Sequence, residues 1–169
     1  MSFQVYILPN PAYESFVNPL PAPESVQKGF EMTTSKRRVL CTEDHEDTRD
    51  LIVLALTQAG FEAECADNAE AAIEMAKSKQ FDLYLIDSWL PDVSGIGLCE
   101  QLREFDEKTP ILFYSGAGFE RDKEHARLVG AQGYLVKPVD GDQLAAEVSR
   151  LIEESKTTYA SQRSSSLST

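Results

Sequence analysis

The segment Leu83-Tyr84-Leu85-Ile86-Asp87 places four consecutive apolar residues directly before a carboxylate. A short apolar run without polar alternation is typical of a strand that is buried on both faces of a parallel sheet. Three other runs have the same character, at residues 39–41, 111–114 and 134–136, and a weaker one spans 61–66. The sequence therefore predicts five short strands, with this segment as the third.

The stretches between these runs carry apolar residues at helical spacing. The marker residues are Leu51, Leu54 and Ala55 for the first helix, Leu98, Leu102 and Phe105 for the third, and Leu144, Val148 and Leu151 for the fifth; residues 69–79 and 119–129 supply the other two. We expect the stripe in the third helix to lie in the core. Strand and helix alternate five times, which predicts a doubly wound α/β fold of the (βα)5 type with a parallel sheet.

Length and charge limit the function. A chain of 169 residues predicts one globular domain. Its formal net charge of −12 repels phosphate backbones and anionic lipid surfaces, so we expect no nucleic-acid or membrane partner. The longest aliphatic run, 51–56, is far shorter than the ~20 residues of a membrane span. The prediction is a cytoplasmic protein.

The cysteines are predicted to be buried, and the two chain ends are predicted to lie outside the folded domain. Cys41, Cys65 and Cys99 form no CxxC pair and are interpreted as small buried apolar residues. Residues 1–35 are rich in proline and predict a disordered extension, although Met32 is an alternative start of the chain. Residues 156–169 are rich in serine and threonine and predict a disordered tail, which leaves 36–155 as the folded domain.

Polar residues directly follow four of the predicted strands. Glu43 and Asp44 follow the first strand, Asp87 the third, Ser115 the fourth and Lys137 the fifth. Ligands of doubly wound folds bind at the carboxyl ends of the strands, where these five side chains are expected to meet. Alone, each carboxylate would more often be a helix cap or a solvated group. Their conjunction at four strand ends favours a functional site.

This set of residues suits phosphoryl chemistry. Three clustered carboxylates repel one another unless their pKa values rise or a hard divalent cation binds, and Mg2+ fits oxygen ligands best. A carboxylate beside Mg2+ can attack a phosphoryl group and form an aspartyl phosphate. Asp87 is the predicted nucleophile, with the Ser115 hydroxyl and the Lys137 ammonium binding the remaining phosphoryl oxygens.

Four motifs in this order resemble the receiver domain of two-component response regulators. They are VLCTEDHEDTR at 39–49, DLYLIDSWLPDVSG at 82–95, PILFYSG at 110–116 and GYLVKPV at 133–139. The resemblance covers residues 37–154. It implies a flavodoxin-like three-layer sandwich whose five-stranded parallel sheet has the order 2-1-3-4-5.

The resemblance also implies roles for individual residues. Asp87 would be the phospho-acceptor, and Asp44, Asp87 and the backbone carbonyl of Trp89 would coordinate Mg2+, with Glu43 acting mainly through water. Ser115 and Lys137 match the phosphoryl-sensing hydroxyl and lysine, and Tyr134 matches the aromatic residue that reorients with Ser115 in the switch. The Lys137–Pro138 peptide is expected to be cis. His45 is interpreted as a solvated or packing residue.

The implied partners are proteins. Receiver domains accept the phosphoryl group from a sensor histidine kinase or a histidine phosphotransfer protein. The face made by the fourth helix, fifth strand and fifth helix is the expected output surface for a downstream protein, on a monomer or a phosphorylation-dependent dimer. The chain is predicted to be a stand-alone response regulator, which catalyses only its own phosphorylation and dephosphorylation and is not otherwise an enzyme.

Three other functions are less consistent with these residues. A pseudo-receiver would bind partners without phosphorylation, but the acidic set and Lys137 are complete. An aspartyl-nucleophile phosphohydrolase that uses Mg2+ usually needs a second acid two residues after the nucleophile, and Trp89 stands there. A dinucleotide-binding domain is disfavoured because no G-x-G-x-x-G follows the first strand.

Overall fold

The computed structural model describes residues 36–166, and the side chains of residues 36–158. Predictions for 1–35 lie outside this range. Five parallel strands form one sheet in the order β2-β1-β3-β4-β5. The strands are β1 (Arg38–Thr42), β2 (Glu62–Ala66), β3 (Leu83–Ile86), β4 (Ile111–Ser115) and β5 (Gly133–Val136). The expected strand order is confirmed.

A helix follows each strand. The helices are α1 (Glu46–Gln58), α2 (Ala69–Ser78), α3 (Gly95–Arg103), α4 (Glu120–Leu128) and α5 (Gly141–Ser166). Side-chain oxygens of Asn68 and Ser94 accept N–H groups of the first turns of α2 and α3, which fixes where those helices begin. Among the described helices, none is long and apolar enough to cross a membrane.

The sheet separates two hydrophobic layers. On one face, strand residues such as Val39 and Leu85 pack with Ile52 and Leu56 of α1 and with Val148 of α5. On the other face, the remaining strand side chains pack with residues of α2, α3 and α4, including Ala72, Leu98 and Ala126. These layers form the expected three-layer sandwich, and β3 is buried along its whole length.

The prediction that Phe105 lies in the core is wrong, and two of the residues that mark the first helix are exposed. In α1 the buried residues are Ile52 and Leu56, whereas Leu51 and Leu54 are 66% and 54% exposed. Residues 51–56 are apolar throughout, so spacing alone does not select the face that meets the sheet. Phe105 lies beyond the end of α3 and is 43% exposed, with the Lys77 ammonium over its ring.

Helix α5 extends beyond the predicted domain boundary. It ends at Ser166, within the segment for which composition predicts a disordered tail. Each residue added to an existing helix gains one backbone hydrogen bond without any requirement for burial. The low apolar content of residues 156–169 therefore does not determine where α5 ends, because this helix has already formed before it reaches that segment.

Candidate phosphoryl-acceptor site

The ends of four strands converge at the point where the strand order reverses. The chain leaves β1 toward β2 and leaves β3 toward β4, so the neighbouring ends of β1 and β3 open a crevice between them. Glu43 and Asp87 follow these two strands directly. Ser115 is the last residue of β4, and Lys137 directly follows β5.

Lys137 joins two of the carboxylates. Its Nζ donates to Glu43 Oε2 at 2.5 Å and to Asp87 Oδ2 at 2.8 Å. The side chains of Glu43 and Asp87 are only 1% and 9% exposed, and that of Lys137 is 21% exposed. Burial alone would lower the pKa of the Lys137 ammonium, but its hydrogen bonds to Asp87 and Glu43 outweigh burial and raise the pKa. Lys137 therefore remains charged and bridges β1, β3 and β5.

The β1–α1 loop presents the second carboxylate to solvent. The Asp44 side chain is 34% exposed, and its Oδ1 lies 2.8 Å from Nδ1 of His45. This hydrogen bond raises the pKa of His45, whose ring is 76% exposed. The Arg49 guanidinium donates to the backbone carbonyls of Glu43 and Asp44 at 3.0 and 2.7 Å, which fixes the path of the loop.

The β3–α3 loop is held against the end of its strand. The Asp87 N–H donates to the Thr42 carbonyl of β1 at 3.0 Å, and Asp87 Oδ1 accepts the Trp89 N–H at 3.3 Å. The Gly95 N–H donates to the Ser88 carbonyl at 3.0 Å. A Cβ at Gly95 would lie 2.1 Å from the Asp87 carbonyl oxygen, so this contact requires glycine. Trp89 itself is 73% exposed.

Ser115 and Tyr134 are linked through one residue. Ser115 is fully buried, and its Oγ accepts the Ala117 N–H at 3.2 Å. The Tyr134 hydroxyl donates to the Ala117 carbonyl at 2.7 Å, and its ring stacks on Phe113 with 5.8 Å between centroids. Its position two residues after Ser115 places Ala117 beside the acceptor, but the sequence gives no signal for this link, because Ala117 makes it through its backbone.

The predicted site residues form two hydrogen-bonded groups and one acidic cluster. Glu43, Asp87 and Lys137 are in direct contact, whereas Ser115 and Tyr134 meet through Ala117. Within residues 36–158, the cluster whose possible metal-ligating atoms lie within 4.8 Å of one another contains Glu43, Asp44 and His45. Asp87 is outside that cluster, and His45, interpreted from the sequence as a solvated or packing residue, is inside it.

Residues 39–149 match the family model described as the response regulator receiver domain. The chain belongs to this family. The Lys137–Pro138 peptide bond is cis, as expected for a receiver domain.

Relatives of this receiver domain include longer regulators. A probable transcriptional regulatory protein of Picosynechococcus is 35% identical over 126 residues, which are 70% of this chain and 50% of the relative. The cell cycle transcriptional regulator CtrA of Caulobacter vibrioides is 34% identical over 119 residues, 70% of this chain and 52% of CtrA. The chain therefore spans about half the length of these curated relatives.

A solved chemotaxis protein has the same architecture. CheY4 of Vibrio cholerae is 28% identical with a TM-score of 0.65, and the match covers 69% of this chain and 99% of CheY4. The response regulator TrrA of Thermotoga maritima, solved in complex with Mg2+-BeF, is 26% identical with a TM-score of 0.63 and covers 68% of this chain. The match spans 98% of TrrA.

The donor atoms at this site fit a hard divalent cation. Glu43 and Asp44 supply carboxylate oxygens from one loop, and the Asp44 carboxylate is open to solvent. Oxygen ligands are those that Mg2+ prefers, and it usually retains several waters, which an open loop allows. The receiver-domain fold and this acidic loop are therefore chemically compatible with Mg2+.

Proposed function

We propose that the protein is a phospho-accepting response regulator in which Asp87 receives a phosphoryl group from a phosphohistidine in a Mg2+-dependent reaction. The observation that carries this proposal is the bridge from Lys137 to both Asp87 and Glu43. It holds a buried carboxylate at the end of a rigid strand, beside a cation that can bind phosphoryl oxygens. The match of residues 39–149 to the receiver-domain family supports the same function.

The transfer needs a nucleophile and positive charge. A carboxylate oxygen of Asp87 would attack the phosphorus, the P–N bond to the imidazole would break, and the imidazole would take up a proton. Bound Mg2+, held by Asp44, Asp87 and the Trp89 carbonyl with Glu43 acting through water, would neutralise charge on the transferring oxygens. Lys137 would move its hydrogen bond from Asp87 to a phosphoryl oxygen, and Ser115 would donate to another.

The Ala117 backbone offers a route for the switch. The Ser115 hydroxyl accepts the Ala117 N–H, and the Tyr134 hydroxyl donates to the Ala117 carbonyl. A phosphoryl oxygen that draws Ser115 toward Asp87 would remove the first of these bonds. Ala117 would then shift, and Tyr134 would reorient with it. We propose the α4-β5-α5 face, which carries Tyr134, as the output surface.

The proposed partners are proteins. A sensor histidine kinase or a histidine phosphotransfer protein would donate the phosphoryl group in the cytoplasm, and a downstream protein would bind the output face. The acidic charge of the chain disfavours direct DNA contact, although some relatives are named transcriptional regulators. The catalytic contribution of the domain would extend only to its own phosphorylation and dephosphorylation.

Intact mass spectrometry tests the acceptor. The protein is incubated with acetyl phosphate, with and without Mg2+, as wild type and as Asp87→Asn. We expect one phosphoryl addition that requires Mg2+ and is lost in the variant. Asp142→Asn is a matched control, because Asp142 lies exposed at the start of α5 and is expected to leave the addition intact.

Other outcomes would support other functions. A folded protein that acquires no phosphoryl group, even from a panel of phosphorylated histidine phosphotransfer proteins, would identify a pseudo-receiver. Rapid turnover of p-nitrophenyl phosphate, lost in Asp87→Asn, would instead indicate a phosphohydrolase. The exposed Trp89 argues against that activity, because an indole cannot protonate a leaving group.

A further inference from the structure

Two cysteines are direct neighbours across the sheet. Cys41 of β1 and Cys65 of β2 are partners in the parallel register of these strands. Cys41 lies in the hydrophobic layer formed with α1 and α5, and Cys65 packs against that same layer. Their side chains therefore extend from the same face of the sheet, and both thiols are free.

The spacing of paired strands is compatible with a disulfide. Neighbouring strands lie about 4.7–4.9 Å apart, within the range of roughly 4.4–6.8 Å between Cα atoms that disulfides span. Because the Cβ atoms of a disulfide lie roughly 3.5–4.5 Å apart, closing the bond requires rotation of both side chains and a small approach of the two strands.

One of the two thiols is accessible. Strand β2 is an edge strand, and Cys65 is only half-buried there, whereas Cys41 is 1% exposed. The neighbouring Cys41 thiol and the Arg49 charge hold the pKa of the Cys65 thiol below its ordinary value, despite partial burial. An oxidant would therefore reach Cys65 first, with Cys41 positioned behind it.

We propose that Cys41 and Cys65 form a peroxide-responsive pair that closes reversibly into a disulfide between β1 and β2. The Cys65 thiolate would attack one peroxide oxygen, the O–O bond would break, and hydroxide would leave a sulfenic acid on Cys65. The Cys41 thiol would attack that sulfur, form the S–S bond and release water. The two sulfurs together supply the two electrons that reduce the peroxide.

The third cysteine lacks this arrangement. Cys99 is a residue of α3, buried in the opposite hydrophobic layer, and its thiol donates to the Val129 carbonyl at 3.5 Å. Burial raises the pKa of Cys99 to about 11, which keeps it protonated and unreactive. The chemistry is therefore specific to the Cys41–Cys65 pair, and Cys99 provides an internal control.

The pair adjoins the acidic site. Glu43 is two residues beyond Cys41, and its N–H donates to the carbonyl of Ala66, the residue after Cys65, at 3.1 Å. A disulfide at the paired cysteines would tie together the two backbone segments that make this hydrogen bond. Oxidation would therefore act on the strand ends that carry Glu43.

Peptide mapping of the oxidised full-length chain tests the pair. The reduced protein is treated with hydrogen peroxide, free thiols are alkylated, and the chain is digested with trypsin without reduction. We expect a loss of two hydrogen masses from the intact protein and a disulfide that joins peptide 39–49 to peptide 50–77. Dithiothreitol is expected to reverse both changes, and Cys99→Ala is expected to behave as wild type.

A variant separates the two chemical steps. In Cys41→Ala, we expect no cross-link and a sulfenic acid on Cys65 that dimedone traps; Cys65→Ser, at the sheet edge, is expected to fold and to show neither product. Alkylation of both cysteines after peroxide treatment of the wild type would overturn the proposal. So would disulfides between chains, or over-oxidation of Cys65 without a link. None of these readouts depends on phosphorylation of Asp87.

Discussion

At the scale of single residues, one ammonium holds two buried carboxylates. Replacement of Lys137 by glutamine leaves Glu43 and Asp87 close together without their shared counter-charge. We expect Lys137→Gln to lower the free energy of unfolding by about 1–3 kcal/mol, once the partial exposure of Lys137 is allowed for. The measurement is urea denaturation at pH 7 in Mg2+-free buffer.

A second substitution tests the cause of that loss. Lys137→Gln combined with Glu43→Gln is expected to recover part of the lost stability, because it removes an uncompensated buried charge. Lys123→Gln, which breaks only the surface pair with Glu120, is expected to change stability by less than about 0.5 kcal/mol. Equal effects of the Lys123 and Lys137 substitutions on the free energy of unfolding would show that burial of the site does not strengthen its ion pairs.

Asp106 is a carboxylate outside the site whose charge we expect to stabilise the fold. Burial alone would raise its pKa, but hydrogen bonds from Thr109, Lys108 and the Tyr84 hydroxyl hold the pKa below its ordinary value. The folded state therefore releases this proton more readily than the unfolded state does. The resulting stabilisation is present above the unfolded pKa of about 3.9 and is lost as pH falls through the folded pKa.

The corresponding variant should show this pH dependence. Asp106→Asn is expected to lower the free energy of unfolding by about 1 kcal/mol at pH 7, because the hydrogen bonds lose a charged acceptor. The difference from wild type is expected to shrink as the pH falls below about 4. Denaturant unfolding of both proteins from pH 7 to pH 3 measures it, and a difference that stays constant with pH would contradict the assigned charge.

Some features of the site can be predicted from the sequence and others cannot. The placement of Glu43, Asp87, Ser115 and Lys137 was predictable because each ends or directly follows a strand, and parallel strands end at the same edge of the sheet. The contact between Asp44 and His45 was not, because side-chain direction in a loop depends on its folded path. In this structure Arg49 fixes that path by binding two loop carbonyls.

At the scale of elements, helix α3 begins against the end of β3. Gly95→Ala would place a Cβ 2.1 Å from the Asp87 carbonyl oxygen and 2.9 Å from the Ser88 Cα. Both contacts are backbone atoms, so the loop must move. We expect a loss of about 1–3 kcal/mol in stability by thermal or urea unfolding.

The same displacement is expected to slow phosphorylation of Asp87 by acetyl phosphate, because the acceptor and the loop move together. Gly116→Ala is the matched control for stability, since a Cβ there meets nothing within 4 Å. A Gly95→Ala protein as stable as Gly116→Ala would show that the helix start adjusts without strain.

Hydrophobic spacing predicts the helices and strands better than it predicts which face of a helix is buried. The presence of helix α1 is predicted correctly, but the sequence does not identify its buried face, because six consecutive apolar residues satisfy helical spacing in more than one direction. Packing against β1 and the rest of that layer selects Ile52 and Leu56 and leaves Leu51 and Leu54 exposed. Strands had no such ambiguity, because β3 is buried on both faces.

At the scale of the whole molecule, the net charge affects how the proposed switch would find its partners. The chain carries a formal net charge of −12, and phosphorylation would add about −1.5 to −2 more. Long-range attraction would therefore favour partners with cationic docking surfaces, and added salt would slow their association. Under the proposed function, this charge would speed the encounter with a partner, but the proposed output face would still have to change shape to distinguish phosphorylated from unphosphorylated Asp87.

That change of shape can be measured with a stable phosphoryl mimic. Beryllofluoride with Mg2+ is expected to shift backbone amide resonances along α4, β5 and the start of α5, because Ser115 and Tyr134 share Ala117 as a hydrogen-bond partner. Asp87→Asn is expected to abolish the shifts, and Tyr134→Phe, which loses the bond to the Ala117 carbonyl, to reduce them in β5 while leaving those beside Asp87. Shifts confined to the strand ends around Asp87 in the wild type would show that this face is not the output surface.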